Sequence, residues 1–314
     1  MKALVTGVGG FCGPHLISRL RRQRDFEIVG LDRMAIPSSQ SGLDRYAQCD
    51  ITQAAEVDSA INLFKPDWLF HLAGIAGNWT GAALIYEVNL IGTVHVLDAV
   101  QRIVPGCRVL LVGSFAEYGG IDASSLPVVE ETVCRPIGAY GISKYAATLA
   151  GMDYARRFGA SIVVVRPSNI VGPGVPASLV VGAMLARAKN ALTSSHPVLK
   201  VGDFDSERDF IAVTDAVDAY VRLMEAGAFG EVFNICSGRP YSIRRIAELL
   251  VANSTRPIQL DFDRDLVPPS PIRCLYGSYE KAGRAIGFRP LASMEDTLKA
   301  AWCAEMGLVC ESRC

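Results

Sequence analysis

The chain predicts an α/β fold: a doubly wound parallel sheet with helices on both faces, and a smaller lobe added by its C-terminal part. Three observations lead there. Short β-rich apolar runs alternate with helical patterns from Lys2 to Val165. Three glycines, Gly7, Gly10 and Gly13, stand where the first of those runs meets the first helix. The alternation then loosens beyond Arg166. Strand and helix in regular alternation make consecutive strands parallel, with the helices as crossovers on the two sheet faces.

Taken in order, residues 3–6, 27–31, 68–72, 109–112 and 161–165 are apolar runs too short for helices and rich in β-branched residues, as in strands buried on both faces. Helical patterns cover about 12–24, 53–64, 81–103 and 140–157. Past Arg166 a Pro/Gly-rich stretch, 167–176, precedes a helix near 178–192, a loop-rich segment to Phe210, and helices near 214–226 and 242–253. Pro268, Pro269 and Pro271 mark a further loop before two terminal helices. Residues 1–166 are therefore expected to form a Rossmann-type dinucleotide domain. Residues 167–314 are expected to form mainly a substrate-binding lobe, with some segments returning to the first domain.

At 314 residues the chain can bury a large core. Hydrophobic residues at 50% against 20% charged suit a well-buried globular protein with an apolar oligomer surface. The 31 basic and 32 acidic residues leave a net charge of -1, which offers no footprint for nucleic acid. Nine cysteines lie scattered, without a Cys-x-x-Cys pair or histidines at metal spacing, which suits thiols in a reducing compartment and no metal site. The first strand begins at Lys2, leaving no room for a secretion signal, and no apolar run of about eighteen residues stands out. A cytoplasmic protein without a membrane span is expected.

Gly7, Gly10 and Gly13 permit a tight turn, close approach of backbone to a pyrophosphate, and close helix–strand packing, so a dinucleotide is the expected ligand. Asp32 ends the second strand, where a carboxylate accepts hydrogen bonds from an adenosine ribose diol and repels a 2'-phosphate. Arg33 follows and can reverse that preference, so both NADH and NADPH stay open. Asp50 and Ile51 border the adenine in this reading, and Leu72, Ala73 and Gly74 end the fourth strand on residues that let a cofactor pass. His71 reads as structural. Ser114 ends the strand at 108–113, at the carboxyl edge where such sheets bind ligands. Tyr140 and Lys144 are four residues apart and share a helix face. A cation beside a phenol favours the phenolate and moves its pKa of about 10 toward the working range. A serine hydroxyl that orients a carbonyl, and a tyrosine that passes a proton, make a coherent site.

With these residues in hand, the chain resembles the extended short-chain dehydrogenase/reductases, in the nucleotide-sugar branch of epimerases, 4,6-dehydratases and 4-keto-reductases. The resemblance runs almost end to end: Thr6-Gly7-x-x-Gly10-Phe11-x-Gly13, His71-Leu-Ala, Val88-Asn89-x-x-Gly92-Thr93, Ser114 to Gly119, Tyr140-x-x-x-Lys144, Arg166-Pro-Ser-Asn169, Gly172-Pro-Gly174, Arg208-Asp-Phe210 and Phe233 to Gly238. It implies a catalytic triad of Ser114, Tyr140 and Lys144, with Tyr140 as acid/base and Lys144 also holding the nicotinamide ribose. It implies that Phe11, Cys12 and Asn89 join the cofactor residues named above. Substrate contacts are implied for Ser114, Phe115, Ala116, Glu117, Asn169, Val181, Arg208 and Arg273. It further implies a homodimer through helices 81–103 and 140–157.

Within the branch, dehydratases place a glutamate two residues after the triad Ser/Thr. Here that position is Ala116, with Glu117 one step later, which disfavours dehydration. Epimerases need only the triad and a tightly held NAD, and the residues do not exclude them. Segments 111–119, 207–211 and 230–239 are most similar to reductases of GDP-4-keto-6-deoxyhexoses, which make GDP-rhamnose. The implied reaction is reduction of a sugar C4 ketone by NAD(P)H, with a non-catalytic cofactor sensor as the remote alternative. One departure stands out: relatives often carry an Arg-Pro diphosphate clamp where this chain has Val267-Pro268-Pro269-Ser270, which leaves Arg264 or Arg273 as stand-ins.

Overall fold

The computed structural model describes residues 1–23, 26–35, 42–77, 81–202, 205–266 and 272–309. From the N-terminus the chain runs β1 (Lys2–Thr6), α1 (Cys12–Arg21), β2 (Glu27–Asp32), β3 (Arg45–Gln48), α2 (Ala54–Phe64), β4 (Trp68–His71), α3 (Ala82–Tyr86), a π-helical turn at Glu87–Gly92, α4 (Thr93–Ile103), β5 (Arg108–Val112), a 3-10 turn at Phe115–Glu117, α5 (Gly138–Phe158) and β6 (Ile162–Pro167). It continues through β7 (Asn169–Val171), α6 (Val180–Ala191), β8 (Val198–Val201), β9 (Glu207–Ala212), α7 (Val213–Ala226), β10 (Glu231–Ile235), β11 (Pro240–Ser242), α8 (Ile243–Val251), β12 (Gln259–Phe262), β13 (Cys274–Leu275), α9 (Glu280–Ile286) and α10 (Met294–Met306).

Seven strands form one parallel sheet in the order β10-β6-β5-β4-β1-β2-β3. The order reverses direction between β1 and β4, which opens a crevice at the carboxyl ends of those strands. Successive side chains point to opposite faces of a strand. Ala3 and Val5 accordingly enter the core that holds Leu16, Phe70 and Tyr220, while Leu4 enters the other, with Ile61, Leu97 and Val109. Every residue of β6 is buried, which is why Ile162–Val165 run apolar in succession rather than alternating before Arg166.

All five predicted strands are present. β3 and β10 are additions: β3 is a four-residue edge strand, partly exposed and without an apolar run, so its sequence carries little signal. β10 comes from beyond residue 166 and pairs with β6 in register Phe233↔Val165, so the chain returns to the sheet after leaving it. A third apolar cluster, with Met184, Leu185, Phe210, Leu250 and Trp302, sits under α6, α8 and α10. Around it lie the small sheet β11-β9-β13, with β7 on β9, and the pair β12-β8.

One expectation needs correcting. Among the described residues the continuous helical stretch Ala82–Ile103 is long and apolar enough, by length and composition, to cross a membrane. Its inner side is spent on the core instead, where Ile85, Val96, Leu97 and Val100 are buried. The same stretch was expected as one regular helix. It holds the π turn, which swings Asn89 inward to 1% exposure.

Candidate functional site

A cleft of about 460 Å³ opens at the carboxyl edge of the sheet, lined among others by Gly7, Gly10, Asp32, Arg33, Asp50, Ile51, Leu72, Ala73 and Gly74. The glycines act as their positions predict. Gly7 adopts φ +65°, and a Cβ on it would lie 2.6 Å from Ala73 Cα. A Cβ on Gly13 would lie 1.9 Å from the Val8 carbonyl oxygen, so only glycine lets α1 pack this closely on the loop. A Cβ on Gly10 would meet only the Gly7 oxygen, at 3.1 Å, and its open side lines the cleft. The cradle has the shape and the bare backbone that a dinucleotide needs.

Asp32 accepts hydrogen bonds from Gly9 N at 2.9 Å and Met34 N at 3.1 Å, which presents its carboxylate at the cleft rim beside Arg33. Asp50 is turned into its own loop and accepts from Thr52 N and Oγ1 at 2.9 and 2.8 Å. Phe11 packs edge-on against His15 at the start of α1. Burial pushes the neighbouring Cys12 thiol up to about 12, so it is neutral and inert at ordinary pH.

Ser114, Tyr140 and Lys144 come together at the end of β5 and the first turns of α5. The Tyr140 and Ser114 hydroxyls are hydrogen-bonded, while Lys144 Nζ donates to the Val112 carbonyl at 2.7 Å. Burial pulls the ammonium down to about 8, opposed by the charge of Glu117. The phenol departs from the expectation of a lowered pKa. Burial of its hydroxyl raises it, Ser114 opposes, and Glu117 and Cys12 raise it further. With the ammonium turned to Val112, desolvation decides the direction.

Four sequence expectations for side chains change. Glu117 is fully buried and does not face the cleft: its Oε1 accepts from Ser114 N (2.8 Å) and Thr148 Oγ1 (3.0 Å), and its Oε2 from Arg166 Nε (2.7 Å). Phe115 is 4% exposed and packs edge-on with Tyr118 in a small core that also holds Val128 and Leu275. Val181, at 1% exposure, is part of the core of the added lobe. Asn89 spends its amide on structure: Oδ1 accepts from Ile75 N at 2.7 Å, and Nδ2 donates to Ile75 O and Ser143 Oγ, both at 3.0 Å. Glu117, Phe115 and Asn89 lie in tight turns, where one residue of offset is invisible in sequence, while Val181 faces inward from α6.

Ala116 stays partly exposed beside Ser114. Asn169 is exposed, with Nδ2 donating to Asp209 O at 2.8 Å. The Arg208 guanidinium donates to the carbonyls of Glu207, Ile272 and Arg273 at 2.9, 2.7 and 3.2 Å, so it straps down the segment that carries the exposed Arg273. The Val267–Ser270 departure lies outside the described residues. His71 is structural as expected: its Nδ1 meets Thr6 Oγ1 at 2.8 Å and its Nε2 meets Thr93 Oγ1 at 3.0 Å. Burial, helped by Lys144, lowers it to about 3 and keeps it neutral.

Sequence reasoning assigned no role to Thr148, Asp209 or Arg166. The buried carboxylate of Asp209 accepts from Ser168 Oγ (2.9 Å), Ser237 N (2.8 Å) and Gly238 N (2.9 Å), which ties β9 to the β6–β7 and β10–β11 connections. A signal for Arg166 existed. An arginine closing an otherwise apolar strand must meet an anion inside the protein.

A family model described as the NAD dependent epimerase/dehydratase family matches residues 3–236. The chain is 30% identical over 307 residues to a GDP-6-deoxy-D-mannose reductase of Pseudomonas aeruginosa, covering 95% of both chains. It is 30% identical over 288 residues to a GDP-6-deoxy-D-talose 4-dehydrogenase of Aggregatibacter actinomycetemcomitans, covering 91% of this chain and 92% of the other. Among solved structures, RMD from Pseudomonas aeruginosa complexed with NADPH superposes with a TM-score of 0.84 at 27% identity, over 98% of this chain and 99% of that one.

Proposed function

Because this chain belongs to the NAD-dependent epimerase/dehydratase family, we propose that it reduces the C4 ketone of a nucleotide-linked 4-keto-6-deoxy sugar. The substrate we assign is GDP-4-keto-6-deoxymannose, giving GDP-rhamnose, in keeping with the GDP-sugar reductase and dehydrogenase among its relatives. One observation carries the choice of reaction. Glu117 is withdrawn into a buried pair with Arg166, which leaves Ser114, Tyr140 and Lys144, the last of them next to the cleft-lining Gly74, as the proton-handling groups of this reading. That set can protonate a ketone oxygen but provides no carboxylate base for removing water from a sugar.

NADH or NADPH in the glycine-lined cleft supplies the hydride. Gly7 and Gly10 would hold the diphosphate at the start of α1, which Gly13 lets pack closely on the loop, with Phe11 and Cys12 contributing main chain, and Asp32 and Arg33 would meet the adenosine ribose. The phenol of Tyr140 donates a proton to the ketone oxygen as its charge develops, and the Ser114 hydroxyl orients that oxygen. Tyr140 begins protonated, as the acid that this direction needs. Lys144 holds the nicotinamide ribose and keeps positive charge beside the departing proton. The added lobe, built mostly from residues beyond 166, takes the sugar nucleotide, with Asn169 near its phosphates and Arg208 with Arg273 supplying positive charge.

The chain acts in the cytoplasm as a homodimer in this reading. Leu84 and Ile91 on the stretch Ala82–Ile103, and Ile142, Leu149 and Phe158 on α5, are exposed apolar side chains on two helices that pack side by side.

The test is product analysis by NMR after offering GDP-4-keto-6-deoxymannose with each reduced cofactor. One rhamnosyl nucleotide per NAD(P)H oxidised is expected. Interconversion of C4-epimeric sugar nucleotides without added cofactor would make the chain an epimerase, and no turnover on any 4-keto-6-deoxy sugar nucleotide would end the proposal. Tyr140→Phe should lower kcat by about 10²–10⁴-fold, with NAD(P)H binding retained by fluorescence titration.

A further inference from the structure

Directly behind Ser114, away from the cleft, lies a buried ion pair that the reaction as drawn does not use. Glu117 is 0% exposed and Arg166 4%. Arg166 Nε donates to Glu117 Oε2 at 2.7 Å, and its Nη1 donates to Tyr118 Oη at 3.3 Å and to the Glu130 carbonyl at 3.4 Å. The other carboxylate oxygen of Glu117 accepts from Ser114 N and Thr148 Oγ1. Gly113 makes room for it, because a Cβ there would lie 2.2 Å from Glu117 Oε1.

A pair of this kind is a poor device for stability alone, since desolvating two ions offsets most of their attraction. Its position offers a better reason. Ser114 N–H is held by the carboxylate while Ser114 Oγ accepts from Ala116 N at 3.1 Å, so both turn atoms that set the serine hydroxyl are anchored. Tyr140 is faced by Ser114 and Glu117 from the turn after β5, by Cys12 from α1 and by Tyr220 from α7. Lys144 is faced by Glu117, by His71 from β4 and by the Val112 carbonyl. At neutral pH the thiol, the imidazole and the Tyr220 phenol carry no charge. Among these neighbours, Glu117 is the acid that the Tyr140–Lys144 pair meets from outside its own helix; burial raises its carboxyl above the usual carboxylate range, and the paired Arg166 guanidinium opposes that rise.

We propose that Glu117 and Arg166 are a positioning pair for the reductase proposed above: the carboxylate fixes the Ser114 main chain, and its charge faces the Tyr140–Lys144 pair from behind the serine, on the side that favours the Lys144 ammonium. For a reductase the gain lies at Lys144: its ammonium must stay charged to stabilise the phenolate left when Tyr140 gives up its proton, and the Glu117 charge favours that ammonium. The inference rests on the reductase reading only for its purpose; the electrostatic coupling stands by itself.

The decisive variant is Glu117→Gln, which keeps an oxygen for Ser114 N and Thr148 and removes the charge. Protein labelled with [13Cζ]tyrosine is titrated by NMR without cofactor or substrate, and the Tyr140 signal is assigned by comparison with Tyr140→Phe. A fall of the Tyr140 midpoint by about one pH unit or more is expected, and the basic limb of kcat/KM for ketone reduction, which Lys144 sets, should move down as well. A folded Glu117→Gln protein whose Tyr140 midpoint and basic limb stay at the wild-type pH, with only rate or melting temperature reduced, would overturn the proposal and leave the pair a packing element. If Glu117→Gln does not fold, Glu117→Gln/Arg166→Met removes both charges and leaves no uncompensated ion. Its midpoint should fall in the same direction by a smaller amount, and an unchanged midpoint would overturn the proposal equally. Wild-type protein inactive on every 4-keto sugar nucleotide would sink the reductase reading, while the titration still decides the pair.

Discussion

Lys144 Nζ donates to the Val112 carbonyl at 2.7 Å, so the cation of the Tyr140–Lys144 pair is anchored to the strand that ends at Ser114. The same bond fixes the ammonium in a buried position, where it is brought down from 10.5 to about 8.

A stability dependence on pH follows from that position. Between about pH 8 and 10.5 the unfolded chain binds the Lys144 proton and the folded chain does not, so folding gains as pH rises through this window. The cost carried below pH 8 is about 3 kcal/mol. Urea unfolding of the wild type and Lys144→Met at pH 7 and pH 10 should show the wild type improving against the variant by roughly that amount. A constant difference would mean that Lys144 titrates as an exposed lysine. In activity, kcat/KM should decline above about pH 8 as the ammonium loses its proton.

The glycine loop separates fold from binding at two positions. Gly13→Ala drives a methyl into the Val8 carbonyl and should destabilise the protein by about 2 kcal/mol or more. Gly10→Ala meets a single atom at 3.1 Å, so its melting temperature should stay close to wild type. Its affinity for NAD(P)H should nonetheless fall by about tenfold or more, or about 1.4 kcal/mol, because the methyl stands where the pyrophosphate must approach. Thermal melts and cofactor titration on the two variants check the contrast.

Asp32→Asn removes the negative charge at the rim and keeps one acceptor oxygen, so one of the two bonds from Gly9 N and Met34 N is lost. The ratio of kcat/KM for NADPH over NADH should rise by about tenfold, equivalent to about 1.4 kcal/mol of repulsion relieved at the 2'-phosphate. An unchanged ratio would show that Arg33 already governs the choice.

Leu149 is 52% exposed on α5, which packs against α3 and α4. Leu149→Glu places a charge in the proposed dimer face and should convert a dimer into a monomer on sedimentation. A wild type that sediments as a monomer removes the dimer from the reading.

Much of the site was legible because its chemistry is bound to local geometry. The glycine spacing Gly7–Gly10–Gly13 allows only a few backbone paths, and the i, i+4 spacing of Tyr140 and Lys144 puts both on one helix face. The side chains that were misread are those in turns. Glu117 follows Ser114 by three residues and was expected at the cleft, yet it is the third residue of a 3-10 turn and folds back onto the Ser114 amide. Asn89 was expected beside the cofactor, but the π turn rotates it toward Ile75 and Ser143.

The sequence by itself determined the parallel sheet, the dinucleotide cradle and the Ser114–Tyr140–Lys144 set. Continuous apolar strands, glycines at the first junction and a four-residue helical spacing each express a short-range rule that needs no distant partner. Only the tertiary structure decided where charge lies around that set. Glu117 and Arg166 are 49 residues apart in the chain and meet at 2.7 Å because β5 and β6 are neighbours in the sheet. Electrostatic effects depend on distance and burial through space, and neither is written in the order of the residues.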